Sequence, residues 1–336
     1  MANVLENTVI LCGSGRSGTT LLAKLIDASE SVLYRHEPDR LRPAAVLPFL
    51  PEPPQYSACA DDAIKYLFEL VSERTGIVST KPPLFRKRFR TRQKHWMRTC
   101  CAQVSRVFSL AGIDIRVPDL TNSSDLKYLI KTVSSLGRVP MFACAAPETK
   151  FIHIVRHPGA VQASLAKGVE ENLMADEVFL KSAFRMEIAK KFLGLREEIE
   201  MSCVTMQRIF FWMCENEKVF TEMKEADNYL LVSYEDLCTN MRAVMIRVCE
   251  FIGIEFDAQM RTFINLIERE RPTAGYFSIL KNPVSRIAAW EKKLSHSEIK
   301  KIDDLILQSE IGEFVSAKYT TARENASSLK ETHDNF

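Results

Sequence analysis

The densest chemistry in this sequence lies between residues 13 and 20, GSGRSGTT. Glycines at 13, 15 and 18 let the backbone turn tightly, so that several N–H groups converge on one point. Thr19 and Thr20 open a periodic apolar stretch, LLAKLIDA, that reads as a helix. The positive end of that helix would add to the cradle, and together they suit an anion of phosphate type. Arg16 is the one cation inside the loop. A second anion anchor is spelled by VRHPGAVQAS, with Arg156 before a proline-started helix and Ser164 less than two turns into it. A guanidinium fork and a hydroxyl meeting there would hold a second phosphate, separate from the first. Glu37, with His36 beside it, and Lys131 are further ionisable residues at or just past the ends of apolar runs.

The spacing from Gly13 to Gly18 fits the Walker P-loop, G-x-x-x-x-G-K-[ST], but Thr19 stands where the lysine belongs. Without that lysine the β/γ-phosphate contact of a nucleoside triphosphatase is missing. The loop is therefore expected to bind a phosphate-like group without splitting ATP.

The elements that must position these residues are legible as short apolar runs. Val9–Cys12, Ser31–Tyr34, Tyr128–Val133, Phe151–Val155 and Tyr229–Tyr234 read as strands separated by helical segments. Strand and helix alternating through short joints predicts an α/β fold with a mainly parallel sheet between helical layers, a three-layer, P-loop-like arrangement. Ligands of such sheets sit at the carboxyl ends of the strands. Glu37, Lys131 and Arg156 all fall at or just past such ends. Residues 40–58, rich in proline, read as a loop or lid, and 35–127 as an acceptor-side insertion. Residues 61–74, most of 177–226, 239–252 and 256–268 read as helices, and 271–287 as loop. A capping box, Ser295 with Glu298, opens what reads as the last helix. The polar tail 321–336 is expected to be disordered, leaving one domain over 1–320.

Composition narrows the class. The chain has 336 residues, 46% of them hydrophobic, enough for a large core. Its net charge of +2 is no nucleic-acid signature. Nine cysteines without a C-x-x-C pair, several in apolar runs (Cys12, Cys144, Cys249), point to free thiols in a reducing compartment. No run is long enough to span a membrane, and MANVLEN is too short and polar for a signal peptide. A cytoplasmic location is the default expectation; a piece of a Golgi-lumen protein would read the same. The segment FRKRFRTRQKHWMR, 85–98, has two readings: a solvated helix face, or a surface that attracts an acidic acceptor.

GSGRSGTTLL, VRHPGAVQAS and VSYEDL, in that order over residues 8–237, resemble the sulfotransferases that use 3′-phosphoadenosine 5′-phosphosulfate. Arg16 and Leu21-Leu22 are more similar to the carbohydrate and protein-tyrosine types than to the cytosolic small-molecule type. His36-Glu37-Pro38 matches the acidic residue before proline of the carbohydrate branch. Glu37 stands 21 residues after Arg16, the offset of the tyrosine-branch base, and Lys131 stands 25 before Arg156, the offset of its catalytic lysine. Thr132-Val133 looks more like the carbohydrate branch. Those relatives are usually Golgi membrane proteins, and no anchor is visible here.

The resemblance implies a donor held by Gly15, Arg16, Ser17, Gly18, Thr19 and Thr20 at its 5′-phosphosulfate and by Arg156 and Ser164 at its 3′-phosphate. Ser285, Arg286 and Trp290 would close the nucleotide site. Glu37 is the expected base, with His36 as fallback, and Arg16 and Lys131 would stabilise charge on the transferring group. No metal is expected to be required. The acceptor would be a hydroxyl on a carbohydrate or other acidic molecule, with a small alcohol or a peptide tyrosine as alternatives. A P-loop kinase or a nucleotide-binding module is the competing class. Several residues keep a plainer reading: Glu37 in an ion pair with Arg16 or Arg35, Lys131 exposed at a strand end, His153 in the core, His157 capping a turn, and Tyr234 flanking adenine or buried in the core.

Overall fold

The computed structural model describes residues 2–110, 112–121, 126–172, 178–269 and 287–333. Five strands form one parallel sheet: β1 (Thr8–Cys12), β2 (Val32–His36), β3 (Lys127–Lys131), β4 (Lys150–Val155) and β5 (Tyr229–Ser233), in the spatial order β2-β3-β1-β4-β5. Each lies on one of the expected apolar runs. The runs are continuous rather than alternating because helices cover both faces of the sheet. Within β1, Val9 and Leu11 join the core on one face, while Ile10 and Cys12 join the core on the other. Register ties the ends together: Leu11 pairs with Lys131 and Ile152, and His36 pairs with Lys131.

The helices Thr19–Asp27, Val204–Met223 and Met241–Ile252 contribute to the core that contains Val9 and Leu11. Ala60–Ser72 and Val139–Ala145 contribute to the opposite core. Among the described residues no helix is long and apolar enough to cross a membrane. All nine cysteines are free; Cys12 and Cys249 are buried, but Cys144, near the end of the short Val139–Ala145 helix, faces out.

Two expectations are corrected. The capping box at Ser295 and Glu298 does start a helix, His296–Ile306, but it is not the last: a further helix, Glu310–His333, follows and takes in residues 321–333. Its first thirteen residues carry apolar side chains: Ile311, Val315, Tyr319 and Ala322 are buried in the core, which makes that stretch part of the fold. The basic segment 85–98 is neither wholly a solvated face nor wholly a surface. Lys87, Arg90 and Arg98 are buried. Lys87 bonds the Asp27 carboxylate, Arg90 donates to the Asp119 carbonyl at 2.7 Å, and Arg98 donates to the carbonyls of Ser79 and Pro118. Arg86, Arg88 and Arg92 remain exposed.

Candidate active site

Every strand delivers one part of the site to the same edge of the sheet. Taken in spatial order, β2 leads into Glu37, β3 ends at Lys131, β1 leads into the glycine loop, β4 into Arg156 and β5 into Tyr234. The loop thus lies between two groups of side chains: Glu37 and Lys131 on one flank, Arg156 and Tyr234 on the other.

The loop is shaped by close packing. Gly18, at φ +96°, caps the Thr19–Asp27 helix, and a Cβ there would collide with the Tyr234 ring. A Cβ on Gly13 would strike the Ile154 carbonyl of β4. The Ser17 hydroxyl bonds the Ser14 carbonyl at 2.6 Å, closing the turn. Arg16 adopts the left-handed conformation, φ +70°. Its Nε donates to the Ser164 hydroxyl at 3.0 Å. Arg156 donates from Nη1 to the Arg16 carbonyl at 3.2 Å, and its guanidinium lies 4.3 Å from the centre of the Tyr234 ring. Arg16, Ser164, Arg156 and Tyr234 are therefore one cluster. The first turn of the helix beyond Gly18 offers N–H groups that have no carbonyl four residues back. Two guanidinium groups, a hydroxyl and a helix start fit a ligand with two separated phosphate-type groups.

On the other flank, Glu37 is fixed by its backbone. Its N–H bonds the Lys131 carbonyl at 2.8 Å, and it turns at φ +48° into Pro38. Its carboxylate pairs with the Lys131 ammonium through one oxygen and with exposed Arg40, at 3.2 Å, through the other. The expected partners Arg16 and Arg35 are engaged elsewhere; Arg35 is buried against Asp119 at 2.7 Å. Lys131 is buried, not exposed at a strand end. Burial, the largest single influence, would raise the Glu37 pKa, but the Lys131 charge, the neighbouring His36 and the hydrogen bonds from Lys131 and Arg40 together outweigh it and hold the carboxyl down at about 2. His36 is buried, and burial together with the Lys131 charge pushes it down to about 3. It is neutral at working pH, with Nδ1 tied to the Tyr34 hydroxyl at 2.7 Å, which makes it a weak base.

The family model of the Sulfotransferase family matches residues 8–258, three-quarters of the sequence. The chain belongs to the sulfotransferase family. No curated protein sequence matches it. Among solved structures, it is similar to the sulfotransferase domain of the Synechococcus PCC 7002 olefin synthase, at 16% identity over 86% of this chain and 88% of that one, TM-score 0.41. It is also similar to mouse sulfotransferase SULT7A1 in complex with PAP, at 13% identity over 93% and 89% of the two chains, TM-score 0.44. At such scores these likenesses add nothing to the family match.

In this sulfotransferase the remaining expected site residues fall in different places. Ser17 and Thr19 are buried within the loop, and Gly15 leaves open space around its α-carbon. Trp290 is buried against the start of the Pro158–Glu170 helix, stacked on His157 at 4.8 Å, where a Cβ on Gly159 would strike it. Ser285 and Arg286 lie outside the described residues. His157 caps its helix, its Nδ1 accepting from the Gly159 N–H at 3.3 Å. His153 is a core residue, held by Tyr229 at 2.8 Å and Asn216 at 2.9 Å and pushed down to about 4 by burial.

Two positioning residues went unread in the sequence. Asn216 also donates to the Ser14 hydroxyl at 3.0 Å, linking the β4–β5 core to the loop. Asp39 is buried and accepts from Thr132 and from Ser135, the latter at 3.1 Å, so that it clamps the exit of β3 beside Lys131. Asp39 lies two residues from Glu37 in PDR, which was a signal of sorts. Asn216, in the middle of a long helix, gave none.

Proposed function

We propose that this sulfotransferase moves a sulfuryl group from 3′-phosphoadenosine 5′-phosphosulfate to an acceptor hydroxyl. The observation that carries the reading is the order along the sheet edge: an acid–base pair, Glu37 and Lys131, on one flank of the anion loop, and a cluster suited to a second phosphate, Arg16, Ser164, Arg156 and Tyr234, on the other. The loop N–H groups and helix start would hold the phosphosulfate end; Arg156, Ser164 and Arg16 would hold the 3′-phosphate. When bound, the donor supplies an activated sulfuryl group with a bisphosphate leaving group.

The protein's own part is proton removal and charge stabilisation. Glu37 takes the acceptor hydroxyl proton. With a pKa of about 2 it is fully ionised, but Lys131 occupies one of its oxygens. The pair is a resting lock. When Lys131 turns toward new negative charge in the donor pocket, Glu37 loses its counter-ion, its basicity rises, and Lys131 is in place to steady charge on the transferring group. The acceptor belongs to the carbohydrate or other acidic class, which the exposed Arg86, Arg88 and Arg92 favour over a neutral alcohol.

Two measurements test this. Calorimetric titration with adenosine 3′,5′-bisphosphate should show tight binding without magnesium, whereas ATP with magnesium should give no hydrolysis. Labelled donor offered with sugars, tyrosine peptides and small alcohols should transfer label to an anionic sugar or peptide. Bisphosphate that does not bind, or ATP that is hydrolysed, would reverse the reading in favour of the kinase or nucleotide-module class.

A further inference from the structure

Beside edge strand β2 lies a small cleft of about 30 Å³, room for one small polar group, that the chemistry above leaves unused. Five cationic or basic side chains line it: Lys81, Lys87, Arg90, His95 and Arg98. One carboxylate, Asp27, lines it with them, and that charge is already matched twice, by Lys24 and by Lys87. The neighbouring Asp119 carboxylate is taken by Arg35 and Arg74.

Arg90 and Arg98 form no ion pair among the described residues; their partners are backbone carbonyls. Arg90 is buried, and its Nη2 has no hydrogen-bond partner. The buried hydroxyl of Ser79, on the same wall, has none either. Leaving a guanidinium nitrogen and a hydroxyl buried and unpaired costs free energy that a bound acceptor atom would recover. Burial dominates the titration of these groups, and neighbouring cations add to it. Burial and mutual repulsion hold Arg90 down at about 9, Lys87 at about 8, and His95 below its ordinary value. The wall is short of negative charge.

The cleft is also connected to the reaction centre. Tyr34, which lines it, bonds His36, the residue before Glu37. Lys81, at its rim, feels the Glu37 charge and in turn depresses His36.

We propose that this cleft is an acceptor subsite that takes one carboxylate or sulfate-ester group of the acceptor, with Arg90 and Ser79 as its donors. The inference rests on the sulfotransferase reading and makes the acceptor anionic at a defined point. The planar fork of Arg90 suits a two-oxygen group, and the surplus charge excludes neutral molecules of the same shape.

The test uses the whole chain with adenosine 3′,5′-bisphosphate at saturation, so that the glycine loop is filled. Glucuronate and N-acetylglucosamine 6-sulfate are titrated against glucose, N-acetylglucosamine and inorganic sulfate, with calorimetry and melting temperature as readouts. The charged sugars should bind, and their neutral counterparts should bind at least about 10-fold more weakly. Arg90→Gln should weaken the charged sugars about 10-fold or more and leave bisphosphate affinity within about twofold. Thr99→Asp, which adds a negative charge at the wall without removing a buried cation, should do the same and guards against misfolding of the first variant. Equal binding of charged and neutral sugars, or unchanged binding in both variants, overturns the proposal. Inorganic sulfate binding without the sugars would make this a free-anion site and overturn the acceptor assignment. Failure of bisphosphate to bind the parent chain would instead strike the sulfotransferase reading and would show itself separately.

Discussion

Replacing Lys131 with Met separates the catalytic reading from a merely structural ion pair. In the parent, Glu37 is displaced from an ordinary value of 4.5 to about 2. That displacement corresponds to about 3 kcal/mol in favour of the carboxylate. Burial works against that preference, and Lys131 is the largest favourable influence; the Arg40 partner is exposed and screened. Without Lys131 only the smaller influences of His36 and Arg40 oppose burial, the largest of the causes, so Glu37 should titrate above 4.5. The sign for stability follows. A depressed carboxyl contributes stability that is complete above about pH 4.5 and is lost as pH falls toward 2. In Lys131→Met that acid loss should disappear. The assay is the pH dependence of kcat/KM. The parent should show no acid limb from Glu37 above about pH 3, whereas the variant should gain one above pH 4.5 and lose about 10²–10³-fold in kcat for want of the cation. Glu37→Gln should remove the acid limb altogether and cost about 10²–10⁴-fold in kcat while bisphosphate still binds. An unchanged acid limb in Lys131→Met, or near-parental turnover in Glu37→Gln, would refute the reasoning.

Three further outcomes are expected. Arg156→Ala removes a fork that bonds the Arg16 carbonyl and rests on Tyr234; bisphosphate affinity by calorimetry should fall about 10- to 100-fold, and a change under twofold would count against the second phosphate site. Asn216→Ala strips partners from buried His153 and from Ser14 of the loop; chemical denaturation should show about 1–3 kcal/mol lost, with weakened bisphosphate binding alongside. Glu215 is buried, and burial lifts its carboxyl to about 7 from 4.5. The folded chain therefore keeps a proton that the unfolded chain has lost between those values, so stability should fall as pH rises from 4.5 to 7. Glu215→Gln should raise the melting temperature at pH 8, by up to about 3 kcal/mol in stability, and change nothing at pH 4.5.

What could be read ahead of the structure is what the main chain sets. Five apolar runs became five strands because helices bury both faces, and that alone put Glu37, Lys131, the loop, Arg156 and Tyr234 on one edge. The bond from the Glu37 N–H to the Lys131 carbonyl is an extension of the same ladder. What could not be read is where long cationic side chains go. Lys87 turns inward to Asp27, sixty residues away, and Arg98 to Ser79; neither partner stands out in the sequence. Arg16 is the telling case. The loop lies between β3 and β4, so its one cation could have reached toward Glu37 and Lys131 or toward Arg156 and Ser164, and the sequence is silent on the choice. It turns to Ser164, at 3.0 Å. The phosphate flank thereby holds both arginines, and the acid–base flank is left with Lys131 as its buried cation. From this geometry we propose that steadying charge on a transferring group falls more to Lys131 and the loop N–H groups than to Arg16. An Arg16→Ala variant should consequently resemble Arg156→Ala, with weakened bisphosphate binding, more than it resembles Lys131→Met.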